Sequence, residues 1–230
     1  MSMVLLITGV SSGLGKATSE KALEEGFNVI GIDISPSAIE HENYTHLLID
    51  LSKLNLEVLR KHLANEGWYG FVHCAGISIG SSIEEVTIED WNQSMQVNVT
   101  SAMLICQLAD ELMVDNGRII LVSSPVAIAG ARKPSYAASK AALHGLTMSV
   151  SRSFGKRGIC VNTVLPGPMI TGMTNDWPVE KRASIASETR LNRLAKPEDV
   201  AYVITQMLNK KWSYMSSSIV DLTCGSLYGH

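Results

Sequence analysis

Tyr136 and Lys140 stand four residues apart in the run Ser135-Tyr136-Ala137-Ala138-Ser139-Lys140-Ala141-Ala142. On a helix that interval puts both side chains on one face, so an ammonium can approach a phenol. A free phenol ionises near pH ~10, too high for a base at neutral pH. A neighbouring cation stabilises the phenolate, and the tyrosine can then donate or accept a proton. Thirteen residues before Tyr136, Ser123 closes the apolar run Arg118 to Val122. A hydroxyl at the carboxyl edge of a sheet can hydrogen-bond a substrate carbonyl and the alkoxide that develops from it. Ser124 is adjacent, and position alone does not exclude it.

A second constellation lies near the N-terminus. Thr8-Gly9-Val10-Ser11-Ser12-Gly13-Leu14-Gly15 follows the apolar run Val4 to Ile7 and opens a helical stretch. Glycines there permit a tight turn and a close approach to a pyrophosphate, which rests on the helix N-terminus. The spacing is G-x-x-x-G-x-G, not the commoner G-x-G-x-x-G. Asp33 ends the next apolar run, eighteen residues after Gly15. A carboxylate at that place accepts hydrogen bonds from adenosine ribose hydroxyls and repels a 2′-phosphate. No Arg or Lys in the turn or just after Asp33 offsets that repulsion, so NAD is favoured over NADP.

The elements that must position these groups alternate. Apolar runs at Val4–Ile7, Asn28–Ile32, His46–Ile49, Gly70–Cys74, Arg118–Val122, Ile159–Leu165 and Ser218–Leu222 read as seven strands. Between them lie helical stretches at Leu14–Glu25, Leu54–Glu66, Ile88–Val114 (with a break near Asn98), Ser135–Phe154 and Pro197–Leu208. Strand–helix alternation gives βαβ units and right-handed crossovers. The expected fold is α/β: a Rossmann-type, doubly wound, mostly parallel seven-stranded sheet with helices on both faces, in one domain spanning 1–230. The long segment 169–195 has no evident periodicity and follows a strand's carboxyl end, so it reads as a substrate lid.

Composition excludes several classes. Hydrophobic residues make up 46% and charged residues 18% of the 230, which suits a large core rather than disorder. The net charge of −3 comes with no basic stripe, so no nucleic-acid partner is expected. No segment is long enough to span a bilayer, and the apolar run Met3–Ile7 is too short for a signal-peptide core. A cytoplasmic location is expected. Cys74, Cys106, Cys160 and Cys224 are widely separated and lack metal-ligand spacing, so free thiols and no metal site are expected.

Taken in order, Thr8 to Gly15, Asp50, Cys74-Ala75-Gly76, Asn98, Ser123, Tyr136 with Lys140, and Pro166-Gly167 resemble the motifs of the short-chain dehydrogenase/reductase family in its compact form. The resemblance covers Val4 to Gly225. It implies an oxidoreductase that moves hydride between a nicotinamide dinucleotide and an alcohol or ketone. By that resemblance Tyr136 is the acid/base, Lys140 holds the nicotinamide ribose and lowers the Tyr136 pKa, and Ser123 polarises the substrate oxygen. Asn98 would distort its helix and hold a relay water. Gly9, Ser11, Ser12, Gly13, Leu14 and Gly15 would cradle the pyrophosphate. Asp50 and Leu51 would meet adenine, and Ala75 and Gly76 would line the adenosine side. Pro166, Gly167, Met169 and Thr171 would contact the nicotinamide carboxamide edge.

Departures from the pattern are visible. His73-Cys74-Ala75-Gly76 stands where the family has Asn-Asn-Ala-Gly, and Cys74 is a poor hydrogen-bonding substitute. A strand-end His73 reads as structural rather than as a base. The short interval from Asp33 to Asp50 leaves room for only a vestigial helix. Two alternatives differ in class. A non-enzymatic dinucleotide sensor would lack the Tyr or the Lys, and a sugar-nucleotide epimerase or dehydratase would need a further substrate domain. Pro125 to Ala129 with Met169, Met173 and Trp177 suggest an apolar pocket. The resemblance extends to 3-oxoacyl-carrier-protein reductases, for which Arg132, Lys133, Arg190 and Arg193 would form a basic rim, although those enzymes usually take NADPH. The helices at 88–114 and 135–154 resemble those of dimer contacts in the family, so a homodimer or tetramer is expected.

Overall fold

Val4–Thr8, apolar up to its final threonine, is buried at every position because helices cover both of its faces, and it forms the central strand β1. A computed structural model describes residues 3–64, 67–172, 174 and 177–228. Met173 and the Glu66 end of the second helical stretch lie outside the described residues. The other strands are β2 (Asn28–Asp33), β3 (Tyr44–Leu48), β4 (Trp68–His73), β5 (Arg118–Val122), β6 (Cys160–Pro166) and β7 (Ile219–Leu222). They form one sheet in the order β3-β2-β1-β4-β5-β6-β7. Every pair is parallel, where the sequence predicts a mostly parallel sheet.

The helices are α1 (Gly13–Glu24), α2 (Leu56–Leu63), α3 (Ile88–Met95), α4 (Ser101–Leu112), α5 (Val126–Ala129), α6 (Pro134–Phe154), α7 (Val179–Ser187) and α8 (Pro197–Met207). Strand side chains alternate between the two faces. Leu5 and Ile7 of β1, with Ile120 and Val122 of β5, pack under Leu14 and Leu23 of α1 and Ile204 of α8. Val4 and Leu6, with Ile119 and Leu121, pack under Leu59 of α2, Ile105 of α4 and Leu143 of α6. Two apolar layers therefore sandwich the sheet. Strand order reverses across β1, between β2 and β4, and a ligand cleft forms at the carboxyl ends beside such a reversal.

Several elements differ from the sequence reading. The stretch 34–43 holds no helix, because ten residues containing Pro36 must return the chain to β3. The helix expected from Leu54 starts two residues later: Leu51–Lys53, ahead of it, makes a tight turn capped by Asp50, and α2 starts after Asn55, whose side chain accepts from the Glu57 amide. These caps outrank the apolar periodicity. The break near Asn98 is a widened, π-type turn at Gln96–Thr100 joining α3 to α4. Segment 169–195 contains a helix, α7, none of whose residues is buried, so it writes no apolar stripe into the sequence. No helix among the described residues is long and apolar enough to cross a membrane.

The far end of the sheet is tied to α8 by one buried bond: the Tyr69 hydroxyl donates to the Leu208 carbonyl at 2.7 Å. Tyr69→Phe leaves that carbonyl unpaired, so it should cost about 1–2 kcal/mol of stability. The expected readout is a lower denaturant midpoint with an unchanged slope. An unchanged midpoint would show that the bond adds nothing.

Candidate active site

The carboxyl ends of β1, β2, β4, β5 and β6 open into a cleft of about 1330 Å³. Gly9 turns at φ +75° out of β1, and a Cβ there would lie 2.8 Å from the Ala75 backbone. Gly15 sits where a Cβ would overlap the Gly9 carbonyl. These two positions exist only because side chains are absent. They bring the first turn of α1 against the cleft floor. Ser12 precedes α1 without capping it by its side chain, and no acidic residue stands in its first turn. The positive end of α1 is thus open to an anion such as a pyrophosphate, and the glycine turn fits that group.

Asp33, at the end of β2, accepts from the Ser11 amide at 2.9 Å and the Ser35 amide at 2.9 Å. Asp50 accepts from the Ser52 amide at 2.9 Å. Ser52, through its hydroxyl and its amide, holds Asp50 below the usual carboxylate range. Gly9, Ser12, Leu14, Gly15, Asp33, Asp50, Leu51, Ala75, Gly76, Pro166, Gly167, Met169 and Thr171 all line the cleft, together with Tyr136 and Lys140. Ser11, Gly13 and Asn98 are not among the lining residues. A Gly13 Cβ would touch the Thr171 methyl, which brings the β6 loop against the glycine turn.

Tyr136 and Lys140 lie on the first turns of α6, with the Lys140 Nζ 5.9 Å from the centre of the Tyr136 ring. The ammonium donates to the Val122 carbonyl at 2.8 Å. Burial lowers the Lys140 pKa to about 8. Burial also raises the Tyr136 pKa, against a smaller lowering by the Ser124 hydroxyl. Desolvation is the largest influence on the phenol here, and the ammonium is directed to the Val122 carbonyl.

Ser123 and Ser124 both line the cleft but make different contacts. The Ser123 hydroxyl donates to the Lys140 carbonyl at 2.8 Å and lies 2.9 Å from His144 Nε2. Its one proton goes to the carbonyl, so His144 carries its hydrogen on Nε2 and donates. Ser123 continues the ladder beyond β5, its amide donating to the Val164 carbonyl. Successive side chains on a strand point to opposite sides, and the hydroxyl that meets Tyr136 is that of Ser124. His144 escaped the sequence reading, although its position four residues after Lys140 on the same helix face was a legible signal.

Asn98 sits in the π-type turn and is fully buried. Its Oδ1 accepts from the Ile77 amide at 2.8 Å, and its Nδ2 donates to the Ile77 carbonyl and the Ser139 hydroxyl. The side chain therefore ties the loop after β4 to α6, behind Lys140. His73 is also fully buried, with Nδ1 2.9 Å from the Thr8 hydroxyl, which in turn accepts from the Ala75 amide. Cys74 is half-buried beside it, and burial pushes its thiol up to about 12.

A family model described as enoyl-(acyl carrier protein) reductase matches residues 9–226. The chain is 32% identical to 3-oxoacyl-[acyl-carrier-protein] reductase FabG of Thermotoga maritima, covering 96% of each. It is 30% identical to the (3R)-3-hydroxyacyl-CoA dehydrogenase of Homo sapiens, over 97% of this chain and 95% of that one. A short chain dehydrogenase family protein from Francisella tularensis superposes with a TM-score of 0.91 at 28% identity, covering 99% of each chain.

His73 gives the site a signature in acid. Burial, with a smaller contribution from Lys140, lowers its pKa from 6.5 to about 3. The unfolded chain therefore binds one more proton than the fold between those values, and stability falls as pH drops through that window. His73→Asn removes this titration. The variant should lose about 2–3 kcal/mol less stability than the parent between pH ~7 and ~4.5, measured by denaturant unfolding. Parallel stability curves for the two proteins would mean that His73 does not stay neutral in the fold.

Proposed function

Because the chain belongs to the short-chain dehydrogenase/reductase family, we propose that it moves a hydride between NAD(H) and an alcohol or carbonyl carbon, with Tyr136 as the acid/base. The observation that carries this reading is convergence: the open glycine turn, Asp33, and the Tyr136–Lys140–Ser124 cluster all face one cleft. The glycine turn from Gly9 to Gly15, including Ser11, Ser12, Gly13 and Leu14, would hold the pyrophosphate. Asp33 would take the adenosine ribose, with Asp50, Leu51, Ala75 and Gly76 around the adenosine. Pro166, Gly167, Met169 and Thr171 would flank the nicotinamide. Bound there, the nicotinamide supplies or takes up the hydride.

The chain's own residues handle the proton. Tyr136 is held protonated by burial, the form that donates to an oxygen gaining charge during reduction. Ser124, beside that phenol, donates a hydrogen bond to the same oxygen and fixes the carbonyl's direction. The Lys140 ammonium, within reach of the tyrosine ring, stabilises the phenolate left behind. Ser123 and His144 anchor the Lys140 backbone, and Asn98 fixes the loop behind it.

The substrate side of the cleft is apolar: Ile79, Val97, Val126, Ala129, Trp177, Ile185 and Leu227 line it. Such a wall suits a ketone or secondary alcohol with a hydrocarbon arm. The names carried by the relatives favour a 3-oxoacyl or 3-hydroxyacyl thioester as that substrate. Of the basic rim read from the sequence, Arg193 is paired with Asp199 and Lys133 with the Ser78 carbonyl. Lys181, stacked on Trp177 at 4.5 Å, lines the cleft as a cation that the sequence reading missed. Trp91 of α3 and Met148 of α6 expose apolar surface, which supports pairing of these helices with a second copy.

Tyr136→Phe should lower kcat by about 10³-fold with the dinucleotide Kd nearly unchanged. Ser124→Ala should lower kcat about 10²-fold. Ser123→Ala should keep most of its turnover and instead lose about 1 kcal/mol of stability. Steady-state assays by nicotinamide absorbance with a 3-oxoacyl thioester and simple ketones give these values. An active Ser124→Ala beside a dead Ser123→Ala would return the role to Ser123, and full activity in Tyr136→Phe would end the acid/base assignment.

A further inference from the structure

The ten-residue return from β2 to β3 has no helix to hold it, and side chains do that work instead. Tyr44 and His46 stand two apart on β3 and so share a face. The Tyr44 hydroxyl is 3.0 Å from His46 Nδ1, and His46 Nε2 is 3.0 Å from the Ser35 carbonyl. A carbonyl only accepts, so Nε2 carries the hydrogen, Nδ1 is the acceptor, and the Tyr44 hydroxyl donates to it. The Ser35 carbonyl takes a second donor, the Ser11 hydroxyl, at 2.9 Å. Gly31 is the His46 partner in the β2–β3 register, and a Cβ on it would overlap the Tyr44 hydroxyl. The missing side chain is what lets the phenol lie across β2.

Two segments thus meet on the Ser35 carbonyl, and the amides of Ser35 and Ser11 both reach Asp33. The Ser35 amide holds Oδ1 and the Ser11 amide holds Oδ2. We propose that Tyr44 and His46 are positioning residues that lock the Ser35 turn, aim the Asp33 carboxylate at the adenosine ribose, and so set the preference for an unphosphorylated dinucleotide. The proposal rests on the NAD reading above. A carboxylate pinned by an amide on each oxygen cannot rotate away from an incoming phosphate. Its remaining lone pairs are already placed to accept from hydroxyls, so the ribose finds a preorganised partner. Tyr44 and His46 do not line the cleft and act only through Ser35 and Asp33.

The test is calorimetric binding of NAD and NADP to the full chain, with thermal unfolding recorded for each variant. The parent should bind NAD more tightly. Asp33→Ala should abolish the preference. His46→Ala should shrink the Kd ratio of NADP to NAD about fivefold through weaker NAD binding, and Tyr44→Phe about twofold to threefold. His46→Gln keeps an N–H donor of similar reach and should retain the parental ratio. Tyr44→Phe stays close to the native shape, so it decides the matter if His46→Ala does not fold. A merely structural role would lower the unfolding temperature and leave the ratio alone. An unchanged ratio in Tyr44→Phe and in folded His46→Ala, with the preference lost in Asp33→Ala, overturns the latch and leaves the NAD reading standing. Equal affinities in the parent, or an unchanged ratio in Asp33→Ala, would overturn the NAD reading itself and the latch with it.

Discussion

A lysine ammonium buried beneath the carboxyl ends of the central strands is the constraint around which this site is built. Taking such a charge from water is costly, and Lys140 shows the cost as a pKa lowered to about 8. The Val122 carbonyl offsets part of it. Everything nearby makes room for the cation or steadies it. A Cβ on Gly76 would lie 3.0 Å from Nζ, Ser123 holds the Lys140 backbone, and Asn98 ties down the loop and helix on either side. A mobile lysine on the surface would be better solvated and of less use to a phenol. Burial fixes it within reach of Tyr136 in a medium where its charge acts strongly.

The same economy governs the glycine turn. A parallel sheet packed on both faces leaves its carboxyl edge as the place where loops can diverge without disturbing a core. At the reversal beside β1 the chain must leave the strand, turn, and enter α1 within a few residues. The Gly9–Ala75 and Gly15–Gly9 approaches show how little space that leaves. The nucleotide cradle and the Tyr136 cluster come from distant parts of the sequence. They meet because β1, β4, β5 and β6 end at one level of one sheet.

What could be read from the sequence followed from periodicity and spacing. Continuous apolar runs gave the strands, the i, i+4 interval placed Lys140 beside Tyr136, and the distance from Gly15 to Asp33 measured one helix and one strand. Which of Ser123 and Ser124 meets the phenol was not legible, because the two differ by a single residue. One residue is the step that sends a strand side chain to the other face, and no composition rule sees where β5 stops. Helix α7 left no trace because it buries nothing. The Tyr44–His46 pair was invisible for another reason: the strand start at Tyr44 comes two residues before the apolar signal at His46, and its partners lie in the preceding turn.

His73 illustrates how a departure from a family pattern can preserve a physical role. An amide at this strand end would be neutral at every accessible pH; an imidazole can ionise. What keeps it neutral is complete burial, with the Lys140 ammonium close enough to add to the penalty. Of these two neighbouring groups, the lysine carries the positive charge. The imidazole is thereby confined to hydrogen bonding, its Nδ1 paired with the Thr8 hydroxyl while that hydroxyl takes the Ala75 amide. That chain joins the ends of β1 and β4 where Gly9 passes closest to Ala75, so a titratable residue does the bracing of an amide and is kept from acting as a base by its burial, to which the Lys140 charge adds.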